Sequence, residues 1–289
     1  MLRFSANLSM LFGEYDFLAR FEKAAQCGFR GVEFMFPYDY DIEELKQVLA
    51  SNKLEHTLHN LPAGDWAAGE RGIACIPGRE EEFRDGVAAA IRYARALGNK
   101  KINCLVGKTP AGFSSEQIHA TLVENLRYAA NMLMKEDILL LIEPINHFDI
   151  PGFHLTGTRQ ALKLIDDVGC CNLKIQYDIY HMQRMEGELT NTMTQWADKI
   201  GHLHSVTSGL HASNVWSRIG NLYPGLNGIG SIRKIDSLVD ALLVCTAAVE
   251  VNPLIAGIWG LWRICARSGV YSIGHCLTIR VPLCPGAAL

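Results

Sequence analysis

No G-x-G-x-x-G turn follows the first apolar run of this chain; Ser9–Gly13 offers nothing of the kind, which removes the signature of an open dinucleotide-binding sheet. An excess of basic residues is missing as well. The formal net charge is −3 and no basic stripe interleaved with aromatics occurs, so a nucleic-acid or other polyanionic partner is not expected. The opening residues, Met1-Leu2-Arg3-Phe4-Ser5-Ala6-Asn7, hold no apolar signal core and no small-residue cleavage site, which points to the cytoplasm. Nine cysteines are present, but the number is odd, the spacing is irregular and there is no C-x-x-C pair. Cys27, Cys75 and Cys104 adjoin apolar segments, where a thiol acts as a small core residue, and a reducing compartment suits them. Nor is a membrane span expected: the apolar stretch Leu254–Trp262 is bracketed by Asn252-Pro253 and Arg263.

What is present is an alternation. With 289 residues, 49% of them hydrophobic, the chain suits one large domain with a full core. Short apolar or β-branched runs lie at Leu2–Leu8, Gly31–Phe36, Leu54–Leu61, Lys101–Gly107, Ile138–Ile145, Leu173–Asp178 and Ile200–His204. Between them the apolar residues recur with helical spacing, as in Phe83, Val87, Ala90, Ile91 and Ala94. Start signals of the capping-box type occur at Asp41…Glu44 and Ser114…Gln117, and Gly28, Gly98 and Gly169 stand where helices should stop. Strands that alternate with helices must run parallel, and the fold class expected is a TIM-type (β/α)8 barrel with strands one to seven recognisable. The third connection, from Pro62 to about Arg79, is long, polar and glycine-rich, as active-site loops of such barrels are.

After His204 the pattern breaks. Residues 205–289 hold only three acids, Asp236, Asp240 and Glu250, yet four of the nine cysteines, and no eighth strand can be recognised there. Residues 1–204 are therefore read as an incomplete barrel domain, and 205–289 as a tail of different origin.

Chemistry in a parallel barrel gathers at the C-terminal ends of the strands. Three consecutive predicted strands end in a ligand-type residue: Ile138–Ile142 leads into Glu143, Leu173–Tyr177 into Asp178, and Ile200–Leu203 into His204. Neighbouring strands lie about 4.8 Å apart, so side chains at matching heights can share one ion. A single acid in such a place is as readily the first solvated residue of its strand; three in phase point to a site. His181, in Asp178-Ile179-Tyr180-His181, and Asn60, ending the third strand, carry weaker signals of the same kind.

Several motifs in order resemble the hydroxypyruvate isomerases: Arg3–Ser9, Phe36-Pro37-Tyr38, Pro62–Asp65, Pro77–Glu80, Glu143–Asn146 and Gln176–His181. The resemblance spans residues 1–204. It implies a xylose-isomerase-like β/α barrel that interconverts hydroxypyruvate and tartronate semialdehyde by carboxylate proton transfer through a metal-stabilised enediolate. It further implies Glu143 as one of two acid/base glutamates and Asp178 as a partner in a divalent-metal site of Mg²⁺ or Mn²⁺. His181, Asn60 and Arg79 become substrate contacts, and hydroxypyruvate becomes the small-molecule partner, with a homo-oligomer left open. Two departures stand out. His204 occupies a place where the family has glutamine, though related sugar epimerases bind metal there through histidine. The Gly-Cys-Glu-Tyr motif that carries the second glutamate is absent.

Other readings follow from these departures. One is a related metal-dependent sugar epimerase or isomerase. Another is a metal-dependent apurinic endonuclease, disfavoured by the negative charge and the few strand-end histidines. The last is a catalytically dead isomerase-derived chain whose residues after about His204 are translated out of frame. On that account the tail should be weakly ordered around a seven-stranded remnant, with open strand edges and poor solubility.

Overall fold

The computed structural model describes residues 4–207 and the backbone of 275–280, with side chains described for 5–204. Eight strands close a barrel in chain order: β1 (Phe4–Asn7), β2 (Gly31–Glu33), β3 (Glu55–Asn60), β4 (Lys101–Cys104), β5 (Leu139–Ile142), β6 (Leu173–Asp178), β7 (Ile200–Thr207) and β8 (His275–Arg280). The first seven are parallel to one another. The helices are α1 (Ala19–Gln26), α2 (Ile42–Ser51), α3 (Glu80–Leu97), α4 (Ser115–Met134), α5 (Thr158–Val168), α6 (Ile179–Met185) and α7 (Leu189–Gln195).

The eighth place corrects the expectation of open edges. β8 runs antiparallel to both β7 and β1, pairing His204 with Thr278 and Ser5 with Thr278. An antiparallel strand offers the same backbone donors and acceptors as a parallel one but needs no crossover helix to reach its place. The expected weak order of the tail and its out-of-frame origin fall on residues 208–274 and 281–289, which lie outside the described residues.

Local signals account for the element ends. Ser114 and Gln117 form a reciprocal capping box at the start of α4, whereas Asp41 caps α2 by accepting from the backbone of Glu43 and Glu44. Gly98 and Gly169 end α3 and α5 in the left-handed conformation that glycine adopts at least cost. The apolar spacing Leu189, Met193, Trp196 and Ile200 is helical over α7 and then a 3-10 turn at Ala197–Lys199, while the separate α6 ends two residues before Gly187, which stands at φ +66°.

The strands divide their residues between two environments, as period-two alternation demands. On β5, Leu140 and Ile142 join the core under the helices, with Ile102, Leu126, Ile165 and Ile175. Leu139 and Leu141 instead form a small cluster with Leu58 inside the barrel. A β-carbon on Gly201 would stand 2.7 Å from a methyl of each of these two leucines, so glycine is what lets β7 pass this floor. Above the floor the inward positions turn polar.

Candidate active site

Every carbonyl-end position that the sequence singled out on β5, β6 and β7 comes to one place. Glu143, one residue past β5, Asp178 at the end of β6, and His204 on β7 are each less than a tenth exposed. His204 Nδ1 lies 3.4 Å from Glu143 Oε1 and 3.8 Å from Asp178 Oδ2. The register explains the meeting, because Asp178 pairs directly with His204 across β6 and β7. His181 joins them through helix geometry. Asp178 caps α6, accepting the backbone N–H of His181 at 3.0 Å, which folds the histidine back over its own cap. Ligand atoms of Glu143, Asp178 and His181 all lie within 4.8 Å of one another.

The surroundings hold these groups in place. Asn103 Nδ2 donates to Glu143 Oε2 at 3.1 Å and to Asn60 Oδ1 at 3.2 Å, so Asn60 sits at the edge of the site on β3. Gln176 Nε2 donates to His204 Nδ1 at 3.1 Å. Asn146 Nδ2 lies 2.6 Å from His181 Nδ1, and Asp149, gripped by Asn146, Tyr180 and Arg184, backs that contact.

Burial alone pushes the Glu143 carboxyl up, but the His204 imidazole bonded to it, with His181 and Gln176, outweighs burial and brings it below its ordinary value. Asp178 goes the other way: burial raises it and the neighbouring Glu143 charge raises it further, against the pull of the two histidines. When one of two adjacent carboxyls keeps its proton, it is Asp178.

Carboxylate oxygens from two strands and an imidazole nitrogen from a third converge here as electron-pair donors. That donor set fits a divalent cation of the Mg²⁺ or Mn²⁺ class, which prefers oxygen ligands and accepts an imidazole.

Arg79 is not among the residues brought together around Glu143. It stands at the start of α3, where its guanidinium bonds Glu70 and donates to Glu82 at 2.7 Å from both Nε and Nη2. Glu70 in turn accepts from the backbone of Asp65, so Arg79 staples the third connection to the helix that follows it. That connection packs along the exit of β4. Cys75 N donates to Val106 O at 2.9 Å, buried Asn125 donates to Ala74 O, and Lys108 Nζ donates to Gly69 O. Gly72, at φ +115°, approaches so closely that a β-carbon there would meet Leu105 O at 1.9 Å.

Sequence reading passed over several residues of the site. Glu33, fully buried at the end of β2, lies 3.0 Å from His204 Nε2 and 3.4 Å from His202 Nε2. Asn103, Gln176 and His202 also point into the barrel. A signal was available: polar residues at alternate positions, Gln176 with Asp178 and His202 with His204, in strands that are otherwise apolar. Glu33 stands alone in Gly31–Phe36, an acid in an apolar run, and only the closed barrel gives it a partner.

Parallel strands curled into a barrel, with carboxylates and histidines converging at one mouth, define a TIM-type enzyme barrel with candidate metal-ligand groups. The chain belongs to the xylose isomerase-like TIM-barrel family, whose description matches residues 21–218. It is 44% identical over 203 residues to the 2-oxo-tetronate isomerase of Cupriavidus necator, covering 70% of this chain and 78% of that protein. It is 41% identical over 208 residues to the putative hydroxypyruvate isomerase of Danio rerio, covering 70% and 75%. Among solved structures, one described as an AP endonuclease, family 2, from Brucella melitensis matches with a TM-score of 0.72 and 38% identity, over 77% of this chain and 89% of that one. The curated relatives thus place the chain in an isomerase lineage. Five cysteines, Cys27, Cys75, Cys104, Cys170 and Cys171, are free thiols, and no described helix is long and apolar enough to cross a membrane.

Proposed function

We propose that the chain is built as an aldose–ketose type isomerase for small 2-oxo hydroxy acids, interconverting hydroxypyruvate and tartronate semialdehyde. The observation that carries this reading is Glu143, a buried carboxylate that meets Asp178 and His204 at the barrel mouth. The reaction removes a proton from the hydroxymethyl carbon and returns one to the neighbouring carbonyl carbon, while the hydroxyl and carbonyl oxygens exchange roles through an enediol stage. Glu143, kept ionised by its histidine neighbours and by Asn103, is the base that takes the carbon-bound proton and the acid that gives it back. Asp178 and His204, with Glu143, are the residues that would hold a divalent ion, and His181 and Asn60 line the substrate side. A bound Mg²⁺ or Mn²⁺ supplies Lewis-acid stabilisation of the negative charge that develops on the substrate oxygens. Arg79 acts at one remove, by fixing the connection over the mouth.

The 2-oxo-tetronate named for the Cupriavidus relative carries one more carbon with the same 2-oxo-3-hydroxy acid head. The same proton transfer serves it, so hydroxypyruvate and 2-oxo-tetronate are the two substrates to offer. Turnover of either, lost in Glu143→Gln with an unchanged circular dichroism spectrum, supports the assignment; unaltered turnover in that variant overturns it. A second reading, a chain that binds metal and substrate but does not turn over, is favoured by one sequence observation: the absence of a Gly-Cys-Glu-Tyr segment to supply a second glutamate. Under that reading residues 205–289 are an out-of-frame product of the isomerase gene.

A further inference from the structure

The reaction proposed above acts on an anion, yet the side chains described around Glu143 include no lysine or arginine: they are Asn103, Gln176, Asp178 and the imidazoles of His181 and His204. A carboxylate is met best by a planar guanidinium, which offers it two parallel N–H bonds. Arg79, the arginine conspicuous in the sequence, is spent on Glu70 and Glu82. Two other cations, one on the third connection and one at the exit of β4, are not spent in this way.

Arg71 lies on the third connection with its guanidinium 3.9 Å above the Trp66 ring. Its Nη1 donates to Trp66 O at 3.1 Å and to Glu70 O at 2.6 Å. Both acceptors are neutral carbonyls, and among the described residues nothing accepts from Nε or Nη2, so one edge of the fork and the whole charge are available. Lys108, four residues past β4, donates from Nζ to Gly69 O at 2.8 Å and pairs with no carboxylate of the described residues. Gly69 N in turn donates to Trp66 O, so both half-buried cations grip the same turn, residues 66–71.

That turn belongs to the barrel mouth. Trp66 meets Phe36, three residues past β2, edge to face with ring centroids 5.1 Å apart. Met35 O, next to Phe36, accepts the backbone N–H of Asn60, the last residue of β3, at 2.8 Å. On its other flank Gly72 abuts Leu105, the first residue after β4. From there the contacts of Asn103 with Asn60 and with Glu143 Oε2 lead to the base. Cations without acids thus stand over β2 to β4, and acids without lysine or arginine stand at β5 to β7. A guanidinium stacked on a ring and pinned at one nitrogen has little freedom left to lose when it binds a planar acceptor.

We infer that Arg71, with Lys108 gripping the same turn, is the carboxylate subsite of the mouth and takes the acid group of a small 2-oxo hydroxy acid. The placing of the substrate's reacting carbons at Glu143 rests on the isomerase reading; the carboxylate contact is tested separately from it. The test is calorimetry on the full chain with Mn²⁺, using two ligands: hydroxypyruvate, and neutral dihydroxyacetone, in which a hydroxymethyl group replaces the carboxylate. Arg71→Met should weaken hydroxypyruvate binding by about 10–100-fold, the loss of a hydrogen-bonded charge, and leave dihydroxyacetone unchanged. Arg71→Lys, which keeps the charge but not the fork, should recover part of the loss, and Lys108→Met should show a smaller loss with the same selectivity. Arg79→Met, which loosens the connection without touching the ligand, should weaken both ligands alike. If Arg71→Met does not fold, Arg71→Lys and Lys108→Met decide by the same selectivity. Unchanged hydroxypyruvate affinity in Arg71→Met overturns the inference, as when the cation alone holds the carboxylate. Equal weakening of both ligands overturns it too, because Arg71 would then be a structural staple. An unaltered chain that binds neither ligand removes the inference together with the isomerase reading. Arg71-dependent binding of hydroxypyruvate without exchange of its hydroxymethyl protons would support the subsite and remove only the isomerase reading.

Discussion

Asn103 stands behind Glu143 as its direct support, its side-chain nitrogen 3.1 Å from Oε2 while a second contact ties it to Asn60. The asparagine is wholly buried on β4, so no water replaces the bond if it is lost. A hydrogen bond to a charged group contributes roughly 1.5–3 kcal/mol, and Asn103→Ala should lower kcat by about 10–100-fold with a smaller change in KM. Steady-state kinetics on hydroxypyruvate check this. A larger effect on KM than on kcat would mean that Asn103 serves Asn60 and substrate rather than Glu143.

Glu143→Gln keeps the shape and the contact to Asn103 but removes the base. Isomerisation should fall by at least the roughly 10²–10⁴-fold that general acid–base catalysis contributes. Exchange of the substrate's hydroxymethyl protons with deuterium oxide, followed by NMR, should vanish with it. Exchange that persists at the unaltered rate would assign the base elsewhere.

The staple between Arg79 and Glu70 makes the third connection pH-sensitive. The Arg79 hydrogen bond holds the Glu70 carboxyl below its ordinary value of about 4.5 despite the opposing effect of burial. A depressed folded-state value means the contact is fully present above the ordinary value and is lost as pH falls through the lowered one. The protection factors for hydrogen exchange across residues 62–79, taken against the intrinsic exchange rate at each pH, should accordingly fall on acidification below about pH 4.5, while α4 stays protected. In Arg79→Met the lower protection should already be present at neutral pH, accompanied by a higher KM. Equal protection in both proteins at pH 7 would remove the staple as the cause.

For the tail, the expectation concerns the gene. The coding DNA past the His204 codon, read in another frame, should yield a Gly-Glu-Ile-Asn-Tyr-like stretch followed by Gly-Cys-Glu-Tyr. Under the second reading, a chain rebuilt with that segment should turn over hydroxypyruvate, whereas the chain of 289 residues should bind Mn²⁺ but not turn over. No such segment in any frame, or enzyme-like turnover by the present chain, would show the out-of-frame account to be mistaken.

Residues 4–207 show what the order of amino acids by itself determined. Apolar runs of the right length at Leu139–Ile142 and Leu173–Asp178, helical repeats between them, and the box Ser114…Gln117 each act within a few residues, so strands, helices and their parallel arrangement could be read directly. Glu143, Asp178 and His204 were legible for the same reason, because each ends a strand and barrel strands end at one mouth. Arg79 was legible as a conspicuous arginine but not in its contacts: two nearby acids on its own connection and helix claim the guanidinium. Only the tertiary structure decided the rest. β8 is antiparallel because pairing partners for β1 and β7 are chosen by closure, not by local propensity. Glu33 meets His204 across 171 positions of sequence, and nothing in Gly31–Phe36 states which face of its strand turns inward. That fact exists only once the sheet has curled, since burial inside a barrel is a property of closure rather than of any single strand.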